Sequence, residues 1–271
     1  MSRQYQTISF LSDYGSGDEF VGVVHSVIRS IAPDVAVVDI CHEVPPYDVR
    51  AGSLTLVRAV QYLAPGIVLG VVDPGVGTDR RAVAVEVGEG GEAVFIGPDN
   101  GLLAPAVSMV GGATRAVELT DAAYHLPAPG PTFAGRDIFA PVAAYLCTGV
   151  ELSALGPEVD PLSLRPGLVP LPRTEGHATE AEALWVDRFG NIQLNLGPDD
   201  LGGLGDRVSV RWAEQSRTAI RVETFSDVGP GQLGLLIDSY GLLALVLDRA
   251  SASDELGIDA GAQVRLEPPR S

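Results

Sequence analysis

Residues 7–40 read TISFLSDYGSGDEFVGVVHSVIRSIAPDVAVVDI, and this stretch decides how the first half of the chain folds. Apolar and β-branched residues dominate 7–11 and 35–40, whereas 19–31 carries apolar residues at the helical spacing of three and four. A strand, an amphipathic helix and a second strand in this order are typical of a βαβ unit, whose two strands run parallel. The stretch therefore predicts the first unit of a parallel sheet.

The same rhythm continues outward from this segment. An amphipathic stretch at 50–63 is followed by β-rich runs at 67–72, 82–87 and 93–96, and 137–147 is typical of a helix packed on a sheet. Alternation of strands and helices favours an α/β fold. We expect residues 1–165 to form a domain with a mainly parallel sheet and flanking helices.

The second half of the chain has a different pattern. Prolines cluster from Pro157 to Pro172 without a sustained apolar period, and we interpret residues 166–179 as a proline-rich linker. Short alternating runs follow at 183–186, 192–196, 208–212, 219–222, 233–237, 242–247 and 264–266. This pattern predicts a smaller all-β, barrel-like domain over residues 180–271.

The charge of the chain narrows the classes of function. The 271 residues include 35 acidic and 18 basic ones, which gives a formal net charge of -17. A field of this sign repels phosphate backbones and anionic lipid, so nucleic acid and membrane partners are disfavoured. The charge suits either a plainly solvated surface or a pocket for a cationic small molecule.

Cysteine usage and the lack of targeting patterns favour a cytoplasmic location. Cys41 and Cys147 each lie within an apolar run, which predicts buried thiols in a reducing compartment. Residues 1–10 lack a basic segment followed by an apolar one. No stretch reaches the roughly 18 uninterrupted apolar residues of a membrane span.

Acidic residues follow three of the predicted strands. Asp13 comes after 8–12, Asp39 closes the run that begins at 35, and Asp73 follows 68–72. Ligands of open α/β sheets bind at the carboxyl ends of the strands, so these acids are candidates for a site. A single aspartate in such a place is more often a turn or helix cap, but several at one edge favour a site.

The segment 73–81, DPGVGTDRR, places an acid and arginines at the two ends of a tight loop. It lacks the lysine and the glycine spacing of a phosphate-binding P-loop, so that interpretation is weak. An arginine here can pair with the Asp73 carboxylate or with a bound water. A purely structural ion pair is the equally open alternative.

Other familiar site patterns are missing from the sequence. Gly15-Ser16-Gly17 is too short for a dinucleotide fingerprint, and there is no Gly-x-Ser-x-Gly elbow for a serine nucleophile. The histidines show no ligand spacing with cysteines or acids, so we expect no metal site. The four are His25, His42, His125 and His177.

Six segments together resemble one enzyme family. They are FLSDYG (10–15), DICH (39–42), VVDPGVG (71–77), GPDNGLL (97–103), PTFAGRDIFAP (131–141) and DRFGN (187–191). Any one of them is weak, but in this order they resemble the adenosine-forming S-adenosyl-L-methionine hydrolases. This family is also called the SAM hydroxide adenosyltransferases and is related to the fluorinase and chlorinase enzymes.

The resemblance implies an architecture and a reaction. It implies an α/β N-terminal domain, a β-barrel C-terminal domain and a homotrimer that binds its ligand between neighbouring subunits. The implied substrate is S-adenosyl-L-methionine, the products are adenosine and L-methionine, and no cofactor is needed. The segment patterns described above agree with this architecture independently.

The resemblance also implies which residues bind the substrate. Asp13 would hold the ribose hydroxyls, and Tyr47 and Phe133 would line the sugar and the reacting centre. Asp187 with Ser239 would hold the amino and carboxylate ends of the methionine. Three further residues would line the adenine side, namely Phe189, Asn191 and Phe225. Tyr240 stands where the halogenases have an arginine, so only its backbone contact is implied.

The implied catalytic groups are an aspartate, an arginine and a histidine that hold and activate water. Asp73 and Arg80 match the first two, but Ala134 stands where the family has its histidine. Alanine leaves room for water and supplies no proton acceptor. Three interpretations remain open: an engineered knock-out, a natural variant with a substitute base, and a protein that binds the ligand without turning it over.

The chemistry of the implied reaction places the demand on the nucleophile. Methionine leaves a sulfonium as a neutral thioether and needs no general acid, whereas water needs a base and orientation, worth about 10²- to 10⁴-fold from the base. At the position of Asp73 a halide-using relative has an uncharged tyrosine. A lone carboxylate there would repel a halide by about 4 kcal/mol at 4 Å and an effective dielectric near 20. Gly135, which resembles the chlorinase, favours the halide.

Three alternatives to hydrolysis therefore remain from the sequence. The first is a non-catalytic protein that binds S-adenosylmethionine or adenosine. The second is a halide-dependent synthase of 5′-halo-deoxyadenosine. The third, a methyltransferase, is disfavoured because the resemblance is to enzymes that attack the 5′ carbon.

Overall fold

The computed structural model of the chain describes residues 5–202 and 204–269. It divides into two units, Met1–Val169 and Pro170–Ser271. The predicted linker, 166–179, straddles this division. The outermost residues of the two predicted domains, 1–4 and 270–271, lie outside the described residues.

The first unit contains a seven-stranded sheet in the order β2-β1-β3-β5-β4-β6-β7. Its strands are β1 (Thr7–Ser12), β2 (Ala36–Cys41), β3 (Ile67–Val71), β4 (Ala82–Val87), β5 (Ala93–Pro98), β6 (Ala113–Glu118) and β7 (Glu158–Val159). The four strands β2, β1, β3 and β5 run parallel to one another. The predicted α/β class and the βαβ start at residue 7 are confirmed.

The other side of this sheet is antiparallel. Strand β4 pairs antiparallel with β5 and with β6, and β6 pairs antiparallel with β7. The cause is the short connection between β4 and β5, which a hairpin turn spans and a parallel crossover cannot. The sequence predicts strands at 82–87 and 93–96. The segment between them is too short to contain a helix, which a parallel connection would need.

Four helices cover the sheet: α1 (Phe20–Ile31), α2 (Val49–Val60), α3 (Ala104–Met109) and α4 (Ala140–Cys147). One buried cluster joins Ile8 and Phe10 of β1 to residues of α1 and α4, and another joins Leu11 to residues of α2 and α3. The helix predicted over 137–147 begins instead with a π-helical turn, Gly135–Phe139, that runs into α4. π-Helical turns are rare in proteins, and those that occur often lie at functional sites.

The second unit is a closed barrel. Its elements are β8 (Arg173–Glu175), β9 (Ala178–Val186), β10 (Ile192–Leu194), β11 (Arg207–Trp212), β12 (Gln215–Arg221), β13 (Leu233–Ile237), β14 (Leu243–Val246), α5 (Ala252–Leu256) and β15 (Gln263–Glu267). Strands β10, β14, β13, β12, β11, β15 and β9 pair in this order, and β10 pairs back with β9 to close the ring. Strand β8 extends β9 as a hairpin. The predicted barrel-like domain is confirmed.

Two further sequence expectations concern the cysteines and membrane spans. Cys147 is buried, and burial raises the pKa of its thiol to about 12. Cys41 is only half-buried, because it ends β2 at the edge of the sheet, so its predicted burial is wrong. Among the described residues, no helix has the length and apolar character required to span a membrane.

Candidate functional site

Two of the predicted acids lie at one edge of the parallel half of the sheet. Asp13 directly follows β1, and Asp73 is the second residue after β3. Strands β1 and β3 are parallel neighbours, with Ser12 paired with Val71. Their carboxyl ends therefore meet, and the edge is the place where open α/β sheets bind ligands.

Asp73 and Arg80 form a buried ion pair. Arg80 Nε donates to both carboxylate oxygens of Asp73, at 2.8 and 3.1 Å, and Nη2 donates to Oδ2 at 2.5 Å. The side chains are 12% exposed for Arg80 and 6% for Asp73. The sequence left open whether the arginine pairs with the carboxylate, and it does. Arg81, the neighbouring arginine, pairs with Asp99 instead.

The loop between these two residues is held tightly. Backbone bonds from Val76 to Asp73 and from Thr78 to Gly75 close two turns. Gly77 has a φ of 78°, and a Cβ there would lie 2.9 Å from the carbonyl oxygen of Pro131. Glycine is therefore required, both by backbone conformation and by the close approach of another segment. The loop fixes where the guanidinium of Arg80 stands.

Tyr14 is a member of this site that the sequence interpretation did not assign. Its ring lies 5.5 Å from that of Phe133 and 5.6 Å from that of Phe20. Burial raises the pKa of Tyr14 well above its ordinary range, and the charges of Asp13 and Asp73 raise it further. The phenol, like an ordinary tyrosine, is neutral at physiological pH and is able to donate its proton in a hydrogen bond. The only signal in the sequence was its place in the segment 10–15.

The hydroxyl of Tyr14 occupies the space that a side chain at residue 135 would need. A Cβ built on Gly135 would lie well inside 3.0 Å of the Tyr14 Oη and 3.1 Å from its Cζ. The φ of Gly135 is not positive, so backbone conformation does not demand glycine here. Gly135 is therefore explained by contact with Tyr14. Its likeness to the chlorinase at this position does not by itself favour a halide.

Asp13 and Tyr47, which the resemblance assigns to the sugar, are in contact with each other. The backbone N–H of Tyr47 donates to Asp13 Oδ2 at 2.9 Å. Tyr47 has a φ of 69°, a left-handed conformation that is uncommon for a residue with a large side chain. Its ring is 74% exposed. An exposed aromatic side chain held by a strained backbone is typical of a residue that contacts a ligand or partner.

Ala134 and Arg80 both line a cavity of about 570 Å³. Asp137 and His125 also line this cavity. Burial lowers the pKa of His125, partly offset by Asp121. Its Nε2 is sealed from solvent and has no hydrogen-bond partner among the described residues. Burial therefore favours the neutral form of this histidine of the cavity.

The predicted residues of the barrel line one pocket of about 520 Å³. The structure thus gathers side chains that span residues 187–240 of the sequence. The predicted lining residues are Asp187, Phe189, Asn191, Phe225, Ser239 and Tyr240. A second cavity of about 550 Å³ shares Phe189, Asn191 and Phe225 with it. The shared side chains include two exposed aromatic rings, which a flat heterocycle would bury by stacking.

Two aspartates organise the loops of this pocket. Asp187 Oδ1 accepts from the backbone N–H groups of Phe189, at 2.8 Å, and Asn191, at 2.9 Å, while Oδ2 accepts from the Asn191 amide at 2.8 Å. Asp238 Oδ1 accepts from the Tyr240 N–H at 2.8 Å. Gln193 donates to Asp238 Oδ2 at 2.5 Å. Sequence reasoning missed Asp238 and Gln193, which stand in no quoted segment.

His25, Asp39 and His42 meet in space, although the sequence interpretation treated the histidines as scattered. His25 Nε2 lies 2.8 Å and His42 Nε2 3.0 Å from Asp39 Oδ1. Helix α1 carries His25 back onto β2, which ends next to His42. Spacing along the chain could not show this, because the contact depends on how the helix returns to the sheet.

The fold and the two groups of site residues define a two-part protein with an acid–arginine pair at a sheet edge and an aromatic-rimmed pocket in a barrel. The N-terminal domain model of the SAM hydroxide adenosyltransferases matches residues 8–156, and the C-terminal domain model matches residues 181–265. The chain belongs to the SAM hydroxide adenosyltransferase family.

Relatives of known name support the same grouping. The chain is 44% identical over 259 residues to an (R)-S-adenosyl-L-methionine hydrolase of Salinispora tropica, covering 96% of this chain and 97% of that one. It is 28% identical to a fluorinase of Actinopolyspora mzabensis, covering 98% and 99%. A crystal structure of an uncharacterized conserved protein from Thermotoga maritima matches with a TM-score of 0.88 and 34% identity, covering 96% and 99%. The fluorinase is the more distant of the two named relatives.

Proposed function

We propose that this chain hydrolyses S-adenosyl-L-methionine to adenosine and L-methionine. The observation that carries the proposal is the buried pair of Asp73 and Arg80 at the carboxyl edge of the sheet. The family match and the named hydrolase relatives supply the substrate class. No cofactor is needed, because the sulfonium of the substrate already provides the leaving group.

The residues of the first unit act on the nucleophile and the sugar. Asp73 accepts a hydrogen bond from the attacking water, and Arg80 holds the carboxylate in place through its hydrogen bonds. Asp13 holds the ribose hydroxyls, while Tyr47 and Phe133 line the reacting centre. A water positioned in line with the breaking C–S bond gains more from orientation than from basicity. As the water oxygen bonds to the 5′ carbon and the C–S bond breaks, the thioether leaves without needing a proton, and the proton that the water loses passes to solvent.

Residues of the barrel hold the rest of the substrate. Asp187 and Ser239 bind the amino and carboxylate ends of methionine, with a backbone contact from Tyr240. Phe189, Asn191 and Phe225 line the adenine side. Support comes from the pocket of about 520 Å³ that all six share. Aromatic walls favour a heterocycle, and the acidic group favours the cationic ammonium.

The pair also bears on the choice between water and halide. Asp73 does not stand alone, because Arg80 neutralises it at hydrogen-bond distance. The repulsion of a halide is therefore smaller than a lone carboxylate would cause. The guanidinium of Arg80 is likewise neutralised by Asp73, so it does not attract a halide as an unpaired cation would. Hydrolysis is favoured over halide transfer, and supplying chloride or fluoride while looking for 5′-halo-deoxyadenosine tests this directly.

The decisive experiment restores the missing imidazole. In Ala134→His, we expect adenosine release from S-adenosylmethionine to rise by about 10²- to 10⁴-fold, the usual contribution of a positioned base. Chromatography that identifies adenosine and methionine in equal amounts is the measurement. Ala122→His, at an exposed position earlier in the chain, is the matched control and is expected to leave the rate unchanged.

Each result of this experiment has a definite meaning. An unchanged rate in Ala134→His would contradict the role given to this position. S-adenosylhomocysteine among the products would instead identify a methyltransferase. Tight binding in calorimetry with no adenosine from either protein would favour the second candidate, a binding protein. That candidate rests on Ala134, which supplies no proton acceptor.

We further propose a homotrimer with the ligand at subunit interfaces and a cytoplasmic location. Exposed aromatic residues in both groups of site residues support the assembly, since Tyr47 and Phe189 are 74% and 78% exposed. A trimer that binds its ligand between subunits would cover both side chains. Light scattering on the purified chain tests the trimer, and a monomer at the concentration of the activity assay would refute it.

A further inference from the structure

The cluster of His25, Asp39 and His42 is the strongest feature that the proposed function does not use. One ligand-type atom of each residue lies within 4.8 Å of those of the other two. The side chains are 35% exposed for His25, 43% for Asp39 and 12% for His42. The cluster is thus open on one side and walled by protein on the other.

Buried neighbours fix the directions of both imidazoles. The ring of Phe10, which is fully buried in β1, lies 4.6 Å from the His42 ring and 6.3 Å from the His25 ring. His25 is held on α1 and cannot shift along the chain without moving that helix. Two imidazoles and a carboxylate are therefore presented on rigid elements, which suits a site of fixed geometry.

One ring nitrogen of His42 contacts the Asp39 carboxylate without a hydrogen bond. Its Nε2 is buried, and the 3.0 Å approach to Asp39 does not meet hydrogen-bond geometry, so this nitrogen has no hydrogen-bond partner among the described residues. Its other nitrogen, Nδ1, lies 2.7 Å from the hydroxyl of Ser12. A hydroxyl both donates and accepts, so Ser12 is able to hold the tautomer that leaves a lone pair on Nε2. Metal-binding histidines usually donate their other ring N–H to an oxygen atom, and Ser12 Oγ is able to accept it here.

We propose that Nε2 of His25, Nε2 of His42 and the carboxylate of Asp39 form a binding site for a divalent transition-metal ion of the zinc type. Imidazole and carboxylate are ordinary ligands of Zn²⁺, at about 2.0–2.1 Å, whereas Mg²⁺ and Ca²⁺ prefer sites made of oxygen alone. Ligand atoms of a tetrahedral zinc ion stand about 3.3 Å apart. The contacts of 2.8 and 3.0 Å need to open by only a few tenths of an ångström.

Three protein ligands leave a fourth position open to solvent on the exposed side. The ion has a structural consequence as well, because Ser12 begins the loop that carries Asp13 and Tyr14. The backbone N–H of Gly15 donates to the carbonyl oxygen of His42 at 2.7 Å. An ion that fixes His42 thus fixes the loop on both sides of Asp13. The metal acts on the order of this loop, and the proposal does not depend on hydrolysis.

The test uses the full chain without an affinity tag, after removal of metal with a chelator. Calorimetric titration with Zn²⁺ and visible absorption with Co²⁺ measure binding, and we expect one ion per chain. Affinity should fall at least about 100-fold in His25→Ala and in Asp39→Asn, and about 10- to 100-fold in Ser12→Ala, the usual effect of removing a second-sphere partner. His177→Ala, an exposed histidine of the barrel unit, is the matched control and keeps full affinity.

His25 is the first variant to measure because its partly exposed position on α1 makes loss of folding least expected. Circular dichroism confirms that each variant is folded. Equal affinity in His25→Ala and His177→Ala would overturn the proposal, since binding would then lie elsewhere. Absence of Zn²⁺ and Co²⁺ binding in the unaltered chain would also overturn it and leave a hydrogen-bonded cluster.

Discussion

Replacing Gly135 by alanine tests the packing that supports the sheet-edge site. Gly135 begins the π-helical turn next to Ala134, and its φ is one that alanine adopts without strain. On backbone grounds alone, glycine to alanine in such a place stabilises by about 0.4–1 kcal/mol. The hydroxyl of Tyr14 opposes this, because it stands in the space of the new methyl group. The sign of the effect therefore depends on one contact.

The magnitude follows from the distances. Overpacking of this kind typically costs about 1–3 kcal/mol, which exceeds the backbone gain. We expect Gly135→Ala to destabilise the protein by about 1–2 kcal/mol. In the Tyr14→Phe background the clashing oxygen is gone, and the nearest ring atoms lie 3.1 and 3.3 Å from the new Cβ. Alanine should then be close to neutral, so the two substitutions couple by about 1 kcal/mol or more, within the usual range for residues in contact.

Urea unfolding of the four proteins of this cycle gives the coupling energy. Gly22→Ala is the matched control, because Gly22 lies within α1 and a Cβ there meets nothing within 4 Å. It should be stabilised by about 0.4–1 kcal/mol. The rate of adenosine release should fall in the variant in which the new methyl group displaces Tyr14. The reasoning would be refuted if the changes in unfolding free energy of the two single variants simply added in the double variant. It would also be refuted if the Gly135→Ala protein were as stable as the Gly22→Ala protein.

Two further predictions concern buried titratable groups. Asp73→Asn leaves the guanidinium of Arg80 buried without an anion, so we expect the free energy of unfolding in urea to fall by about 3–5 kcal/mol. The control, Arg211→Gln in an exposed ion pair, should lose about 0–1 kcal/mol. Similar losses in the two variants would show that the pair of Asp73 and Arg80 is not buried in solution. Burial lowers the pKa of His125, so the unfolded chain takes up its proton first as the pH falls below about 6.5. Stability should therefore decline between about pH 7 and pH 5 more steeply in the wild type than in His125→Phe, and parallel curves would contradict this.

The parts of the site that sequence could predict are those set by strand order and short spacing. Asp13 and Asp73 follow β-rich runs, and parallel strands bring their carboxyl ends together. Arg80 stands seven residues after Asp73, so one tight loop was enough to pair them. The barrel residues were placed by the resemblance, and the closed ring of strands collects them into one pocket.

The parts that sequence could not predict depend on contacts between distant segments. The contact of Tyr14 with Gly135 depends on how the loop after β1 and the π-helical turn meet, and no local pattern encodes it. The same is true of His25 and His42, whose meeting requires α1 to return to β2. Periodicity predicts which face of a helix or strand is buried. It does not predict which residue of another element contacts that face.

The carboxylate of Asp187 shows how one side chain serves both the fold and the proposed binding. Its Oδ1 already accepts two backbone N–H groups, so that oxygen has no lone-pair capacity left for a ligand. Oδ2 accepts one N–H from the Asn191 amide and retains capacity for one more donor. A substrate ammonium would therefore bind at Oδ2, beside the residue that lines the adenine side. The bonds that shape the loop also aim the free lone pair, so the loop and the binding group form one preorganised unit.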